Sequence, residues 1–350
     1  VHKAITGAEA IQHAITLAMR NNSKVLTYGL GVNDPGKVFG TTNGLLEEFG
    51  ASRVFETPTS ELALTGVGVG LAIAGHPVIH SHQRMDFALL AMDQLVNSAA
   101  KWKFMFGDQF TVPYLTRMII GRGWGQGPTH SQNLESWLAH VPGIRVLVPA
   151  TPQDLHDSIR AIEATEEPIV VIEHRWIHGV VGQVDPVATL KGCLVPIIHS
   201  PASKADLTIV TWGLATFDCL AAQKRLEVEG IHAEVVQLRE LGIESLDVVS
   251  ESASKSNRLL IVSNSWGPAS FADTVLSDAA KRPNLGNREL KMSSVSYPHS
   301  PEPTSLNQLH GFHVSEWRVV NAALELLGHT QRFIPEAPVD QPQGYDFGPF

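Results

Sequence analysis

Arg53-Val-Phe-Glu-Thr-Pro-Thr-Ser-Glu61-Leu-Ala-Leu-Thr-Gly-Val-Gly-Val-Gly70 is a polar loop carrying Pro58 that runs straight into small apolar residues. The segment reads as a helix over 61–74, and its Gly66, Gly68, Gly70, Ala72 and Ala74 mark it as one that packs closely on its neighbours. Apolar, β-branched runs at 25–28 and 78–80 lie on either side of it and read as buried strands. Strand, helix, strand is the step of a parallel sheet, and it recurs. Residues 114–120, 145–148 and 169–173 read as further strands, and 8–20, 87–106 and 152–164 as further helices. Pro152 behind Thr151 gives the last of these a proline at its first position and a capping hydroxyl. The expected class is α/β, a mostly parallel sheet with helices on both faces.

Periodicity fades over 178–205, where Gly179, Gly182, Pro186, Pro196 and Pro201 fall. A second series then begins, with strands at 207–211, 233–238 and 259–263 and helices at 217–229, 246–255, 271–281 and 315–327. The chain is expected to form two three-layer domains, 1–185 and 206–330, joined by a linker at 186–205 and followed by a proline-containing tail at 331–350. A length of 350 residues suits two cores.

The formal charge of −9 comes without any basic stripe, which argues against nucleic acid as a partner. Cys193 and Cys219 form no CxxC and no disulfide framework, as expected of a reducing compartment. No apolar run reaches the length of a membrane span, and residues 1–20 read as an amphipathic helix without a cleavage site. These features predict a soluble, cytoplasmic protein.

Glu61 opens the small-residue helix. A carboxylate there is expected to be half buried, and burial raises a carboxylate pKa towards the range useful for proton exchange near neutrality. As a plain structural residue it would only complement the helix N-terminus. His130 follows the glycine-rich Gly121-Arg-Gly-Trp-Gly-Gln-Gly127, which contains no GxGxxG triple and reads as a flexible active-site loop, not a phosphate cradle. His130 could equally be a structural histidine held by loop carbonyls. His80-Ser-His82 puts two imidazoles on one strand face, and His174 with His178 has helical spacing, so a metal-dependent hydrolase is an alternative; no HExxH supports it. No metal ligand is assigned.

Taken together, Thr57-Pro-Thr-Ser-Glu61, Asp86-Phe87, Met92-Asp-Gln-Leu-Val-Asn-Ser-Ala-Ala-Lys101, His130-Ser-Gln132, His140-Val-Pro-Gly-Ile-Arg-Val-Leu-Val-Pro149 and Gly230-Ile-His-Ala-Glu-Val-Val-Gln-Leu-Arg239 resemble the β subunits of thiamine-diphosphate-dependent 2-oxo acid dehydrogenases. More broadly the chain is similar to the pyrimidine-binding and C-terminal domains of transketolase-like enzymes, over residues 7–327. The resemblance implies that Glu61 hydrogen-bonds the aminopyrimidine ring nitrogen of thiamine diphosphate, so that the cofactor's own imino group deprotonates its thiazolium carbon. It implies that Phe87 stacks on the aminopyrimidine ring; without it, Phe87 would pass for plain core. Gln83 resembles a substrate-pocket position of the branched-chain enzymes. His130 would sit beside the reactive carbon and assist acyl transfer.

The chain departs from the family in three places. Gly29-Leu-Gly-Val-Asn-Asp-Pro35 replaces a Gly-Glu-Glu-Val-type turn, Ser81 stands where the family carries an acid, and Ser263-Asn-Ser-Trp-Gly267 replaces a Glu-Glu-Gly-Trp-like segment. These losses put in doubt the proton communication between active sites associated with the family's acids. His80, His82, Gln83, Arg84 and Trp124 suggest a more polar or larger substrate than pyruvate.

The superfamily's Gly-Asp-Gly motif for diphosphate and Mg²⁺ is absent, and Gly107-Asp-Gln109 is the nearest approach. Mg²⁺ prefers diphosphate oxygens with one or two carboxylates, so a separate α chain is expected to hold it, in an α₂β₂ heterotetramer. A lipoyl-bearing acyltransferase is a further expected partner. The alternatives are a split transketolase-like carboligase subunit and a non-catalytic regulatory subunit.

Overall fold

The apolar runs of the first half become parallel strands because both faces of their sheet are covered. In the computed structural model, which describes residues 4–122, 125–186, 194–201, 203–282, 290–309, 311–330 and 332, the chain divides into two compact units. The first comprises Val1–Gly121 and Trp137–Leu194. Its strands are β1 (Ala4–Thr6), β2 (Leu26–Gly29), β3 (Val54–Glu56), β4 (Val78–His82), β5 (Tyr114–Ile120), β6 (Arg145–Leu147), β7 (Ile169–His174) and β8 (Val181–Gln183). Six of them form a sheet in the order β3-β2-β4-β5-β7-β6, every neighbouring pair parallel, while β1 and β8 pair antiparallel on their own. Every residue of β4, β5 and β7 is buried, as continuous apolar strands of a doubly covered sheet must be.

The helix Gly7–Asn21 begins with a Thr6–Glu9 capping box, and Pro152–Arg160 begins with the expected Thr151 cap and first-turn proline, to which Asp154 adds a capping box. The single helix expected over 87–106 is instead a relay. It consists of Met85–Ala88, a 3₁₀ turn at Leu89–Ala91, a π-helical stretch at Gln94–Ala99 and a last α-turn at Ala100–Met105. The widened π stretch brings the Gln94 side chain against Gly66, where an added Cβ would be 3.1 Å from Oε1. Hydrophobic periodicity does not encode such a change of winding.

The second unit comprises Arg122–Ser136 and Val195–Phe350. Its strands are β9 (Ile197–His199), β10 (Leu207–Trp212), β11 (Ala233–Leu238), β12 (Arg258–Trp266) and β13 (Lys291–Tyr297), in the order β13-β12-β10-β11-β9. All neighbours are parallel except the edge strand β9. Helices Ala215–Val228, Leu246–Ser256, Phe271–Lys281 and Glu316–Leu327 complete the unit. Its core joins Leu207, Ile209, Cys219, Leu226, Val235, Leu260, Val262 and Val319. Two α/β units with mostly parallel sheets agree with the expected class. Cys193, Trp124, linker residues 187–193 and all of the 331–350 tail except Arg332 lie outside the described residues.

Candidate active site

Gly68 and Tyr28 fix Glu61. The helix Glu61–Ile73 lies so close to its sheet that a Cβ at Gly68 would overlap the Tyr28 hydroxyl and come within 2.6 Å of the Tyr114 ring. The Tyr28 hydroxyl in turn donates to the Leu64 carbonyl at 2.7 Å, tying the first turn of that helix to β2. Glu61 occupies the first helical position, after Ser60, and is half buried.

Around it opens a pocket of about 320 Å³, part of it open to solvent. Its lining brings Glu61 together with Leu30, Thr57, His82, Gln83 and Phe87. The side chains come from the carboxyl ends of β2, β3 and β4 and the segments that follow them. Leu30 follows β2, in a turn pinned by the Glu56 carboxylate, which accepts from the amides of Gly31 at 2.6 Å and Asn33 at 2.8 Å. Gln83 follows β4 and lies over Gly31, which has a φ of +85° and no room for a side chain. Phe87 stands one turn further along and is half buried.

His80 and His82 form the floor, with ring centroids 4.2 Å apart. His80 Nδ1 is 2.7 Å from the Tyr114 hydroxyl, and His82 Nε2 is 3.5 Å from that of Thr65. Burial lowers both pKa values, His80 further through the neighbouring imidazole and His82 to about 4. Both rings are therefore neutral at physiological pH. The expected helical pairing of His174 and His178 does not form: His174 ends β7, and His178 lies in the 3₁₀ turn Arg175–Gly179. Among the described residues no three His, Cys, Asp or Glu side chains gather as metal ligands would.

Beneath Ser81 lies an ion pair invisible to sequence patterning. Arg117 NH2 is 2.5 Å from Glu173 Oε1, and Arg117 NH1 donates to the Ser81 hydroxyl at 3.1 Å. Burial would raise the Glu173 carboxyl, but Arg117 and His178 overcome it and hold the pKa down at about 2. A buried charge on β5 and another on β7 give no signal in the sequence beyond polar letters inside apolar strands.

His130 belongs to the second unit. It is half buried, its Nδ1 lies 3.0 Å from the Thr129 hydroxyl, and its amide donates to the Gly127 carbonyl at 3.2 Å. Its segment is tied to that unit's sheet by Glu135, whose Oε1 accepts from Trp212 Nε1 at 2.6 Å. Burial raises the Glu135 pKa, against the hydrogen bonds from Trp212, Asn133 and Ser265. Glu61, Gln83 and Phe87 thus share one pocket of the first unit, and His130 is carried by the second.

Comparison with known proteins matches residues 3–177 to the transketolase pyrimidine-binding domain and residues 199–319 to the transketolase C-terminal domain. The 2-oxoisovalerate dehydrogenase subunit beta of Bacillus subtilis is 32% identical over 76% of this chain and 81% of its own length. The mitochondrial pyruvate dehydrogenase E1 component subunit beta-1 of Arabidopsis thaliana is 33% identical over 74% of this chain and 72% of its own. Among solved structures, a split-gene transketolase described as an inactive beta4 tetramer superposes with a TM-score of 0.74 at 19% identity. That match covers 94% of this chain and 100% of the other, and it bears on the fold alone.

Proposed function

This chain belongs to the transketolase-type family of 2-oxo acid dehydrogenase β subunits, and from that premise we propose that it is one half of a thiamine-diphosphate-dependent enzyme that decarboxylates a 2-oxo acid. The acyl unit would pass to a lipoyl group or another acceptor. The observation that carries the reading is the convergence of Glu61, Gln83 and Phe87 on one pocket.

The pocket's chemistry suits the aminopyrimidine half of the cofactor. A half-buried carboxylate stands near an aromatic ring and the apolar Leu30 and Leu64, and the Thr57 hydroxyl is buried without a hydrogen-bond partner among the described residues. Thiamine diphosphate, when bound, supplies a nucleophilic thiazolium carbon and an electron sink for decarboxylation. Glu61 would hold and exchange a proton at the aminopyrimidine ring nitrogen. Phe87 would offer its ring face, Leu30 and Leu64 would exclude water, and Gln83 would present an amide to the substrate. His130 would move a proton during acyl transfer.

The diphosphate and Mg²⁺ ligands would come from an α subunit carrying Gly-Asp-Gly, a motif this chain lacks. Exposed apolar side chains support a partner: Leu62 and Val67 on the Glu61 helix are 48% and 54% exposed, and Phe104 is 86% exposed. An α₂β₂ assembly in the cytoplasm is the form we propose. No helix among the described residues is long and apolar enough to cross a membrane.

The test is co-purification followed by assay. A partner chain bearing Gly-Asp-Gly, with release of CO₂ from pyruvate or 3-methyl-2-oxobutanoate, is the expected result. A homodimer of this chain active alone would overturn the split-site reading. Turnover only with an aldehyde acceptor would make it a carboligase subunit.

A further inference from the structure

The geometry points to Asn264 as the residue that fixes both ends of the His130 segment, acting with Glu135 and Trp212 to position His130 for its step. The role in catalysis rests on the reading of His130 given above; the anchoring does not. Asn264 lies in β12, within the segment where this sequence departs from its family, and is 5% exposed.

Arg122, at the start of the segment, donates from NH1 to Asn264 Oδ1 at 3.4 Å and to the Val314 carbonyl at 3.1 Å. Asn133, at its other end, donates from Nδ2 to the backbone carbonyl of the same Asn264 at 2.9 Å and to Glu135 Oε2 at 2.9 Å. One residue therefore closes the loop, taking one end through its side chain and the other through its main chain. Glu135 continues the chain of contacts to the Trp212 indole, and the Phe271 amide donates to the Ser136 hydroxyl at 3.0 Å. Within the loop, Gly127 has a φ of +72°, and a Cβ there would overlap the Thr304 hydroxyl.

The polar groups that make this latch are buried: Arg122 is 2% exposed, Asn133 7% and Glu135 2%. In such surroundings each bond is costly to lose, because the group left behind cannot turn to water. The carboxyl facing the Arg122 guanidinium is that of Asp218, whose Oδ2 lies 3.9 Å away and whose pKa burial raises to about 7 against the pull of Arg122. The sheet of the second unit, through Trp212 of β10 and Asn264 of β12, sets the place of the His130 segment. Displacing a positioned group by about 1 Å can cost about 100-fold in rate.

The test uses three variants in the complex of this chain with its partner subunit. Asn264→Leu removes the acceptor for Arg122, Trp212→Phe removes the donor to Glu135, and Asn264→Asp keeps the acceptor as a conservative rescue. Amide hydrogen exchange of 126–132, followed by mass spectrometry, should speed up about tenfold or more in the first two and stay near wild type in the third. Exchange in β4 and β5 should not change in any of them. With pyruvate and 3-methyl-2-oxobutanoate as probes, the first two should lower kcat and leave KM and thiazolium proton exchange as in wild type. If Asn264→Leu fails to fold, Asn264→Ala, which removes the same acceptor without the added bulk, takes its place in the test. Wild-type exchange of 126–132 in the folded variants overturns the anchoring, and faster exchange with unchanged kcat overturns the positioning role. If instead His130→Ala has no kinetic effect, it is the reading of His130 that fails, while the exchange data still decide the latch.

Discussion

The Arg117 guanidinium and the Glu173 carboxylate meet at 2.5 Å with neither side chain exposed. A buried pair of this kind is held because breaking it is costly. Glu173→Gln leaves Arg117 charged and buried, and should destabilise the first unit by about 3–5 kcal/mol, measured by urea denaturation. Glu173 titrates at about 2 when folded against an ordinary value of 4.5, so its contribution is present above about 4.5 and is lost as pH falls towards 2. The substitution should flatten that acid limb of the stability curve. An unchanged limb would show that Glu173 does not carry it.

Gly68→Ala places a methyl group into the Tyr28 hydroxyl and the Tyr114 ring. Overpacking of this kind costs about 1–3 kcal/mol. The helix must also shift, and with it Glu61, so cofactor affinity should fall together with stability. Gly70→Ala, whose Cβ would meet nothing within 4 Å, is the control and should be neutral or stabilising. Equal effects of the two substitutions on melting temperature and cofactor titration would refute the close-approach account.

Glu61 and His130 should separate kinetically in the proposed two-chain enzyme. Glu61→Gln keeps the size and one hydrogen bond but cannot exchange the proton, so deuterium exchange at the thiazolium carbon should slow by about 10²–10⁴-fold. His130→Ala should leave that exchange nearly intact and slow acyl transfer. NMR after acid quench reads the first, and product release the second. Wild-type exchange in Glu61→Gln would reduce Glu61 to a helix cap.

Alone, the chain should bind thiamine diphosphate weakly or not at all, because Gly-Asp-Gly is missing from it. Calorimetry with and without Mg²⁺ checks this. Tight, Mg²⁺-dependent binding by the isolated chain would falsify the division of the site between two subunits.

The sequence displays what is local and apolar. The bounds of β5 at Tyr114–Ile120, of β11 at Ala233–Leu238 and of the helix Phe271–Lys281 coincide with their apolar patterns. β13 is hidden because Lys291–Tyr297 carries a lysine and three serines, with Val295 and Tyr297 its only buried residues, and β3 because Val54–Glu56 is only three residues long. The pocket was partly legible: Glu61, Gln83 and Phe87 stand within one stretch of strand, helix and turn whose folding brings them together. The Glu135–Trp212 and Asn133–Asn264 contacts were not, since they join positions 77 and 131 apart in the chain. Spacing cannot encode that. Nor does the pairing of Arg117 with Glu173 have any local signature, because it is set by the register of β5 beside β7.

His80 and His82 have a consequence for how the enzyme's pH dependence should be interpreted. With His82 at about 4 and His80 held well below its ordinary value by burial, neither imidazole of the pocket floor carries a charge at neutral pH. Two imidazoles in direct contact with the site would ordinarily be the first suspects for an inflection near neutrality. Here burial keeps both neutral, and an inflection in kcat/KM near neutrality belongs to another ionisation, in the substrate, the partner chain or another residue of this one. The floor thereby offers hydrogen-bonding shape without competing for protons, beside Glu61, the one carboxylate among the described residues that line that pocket.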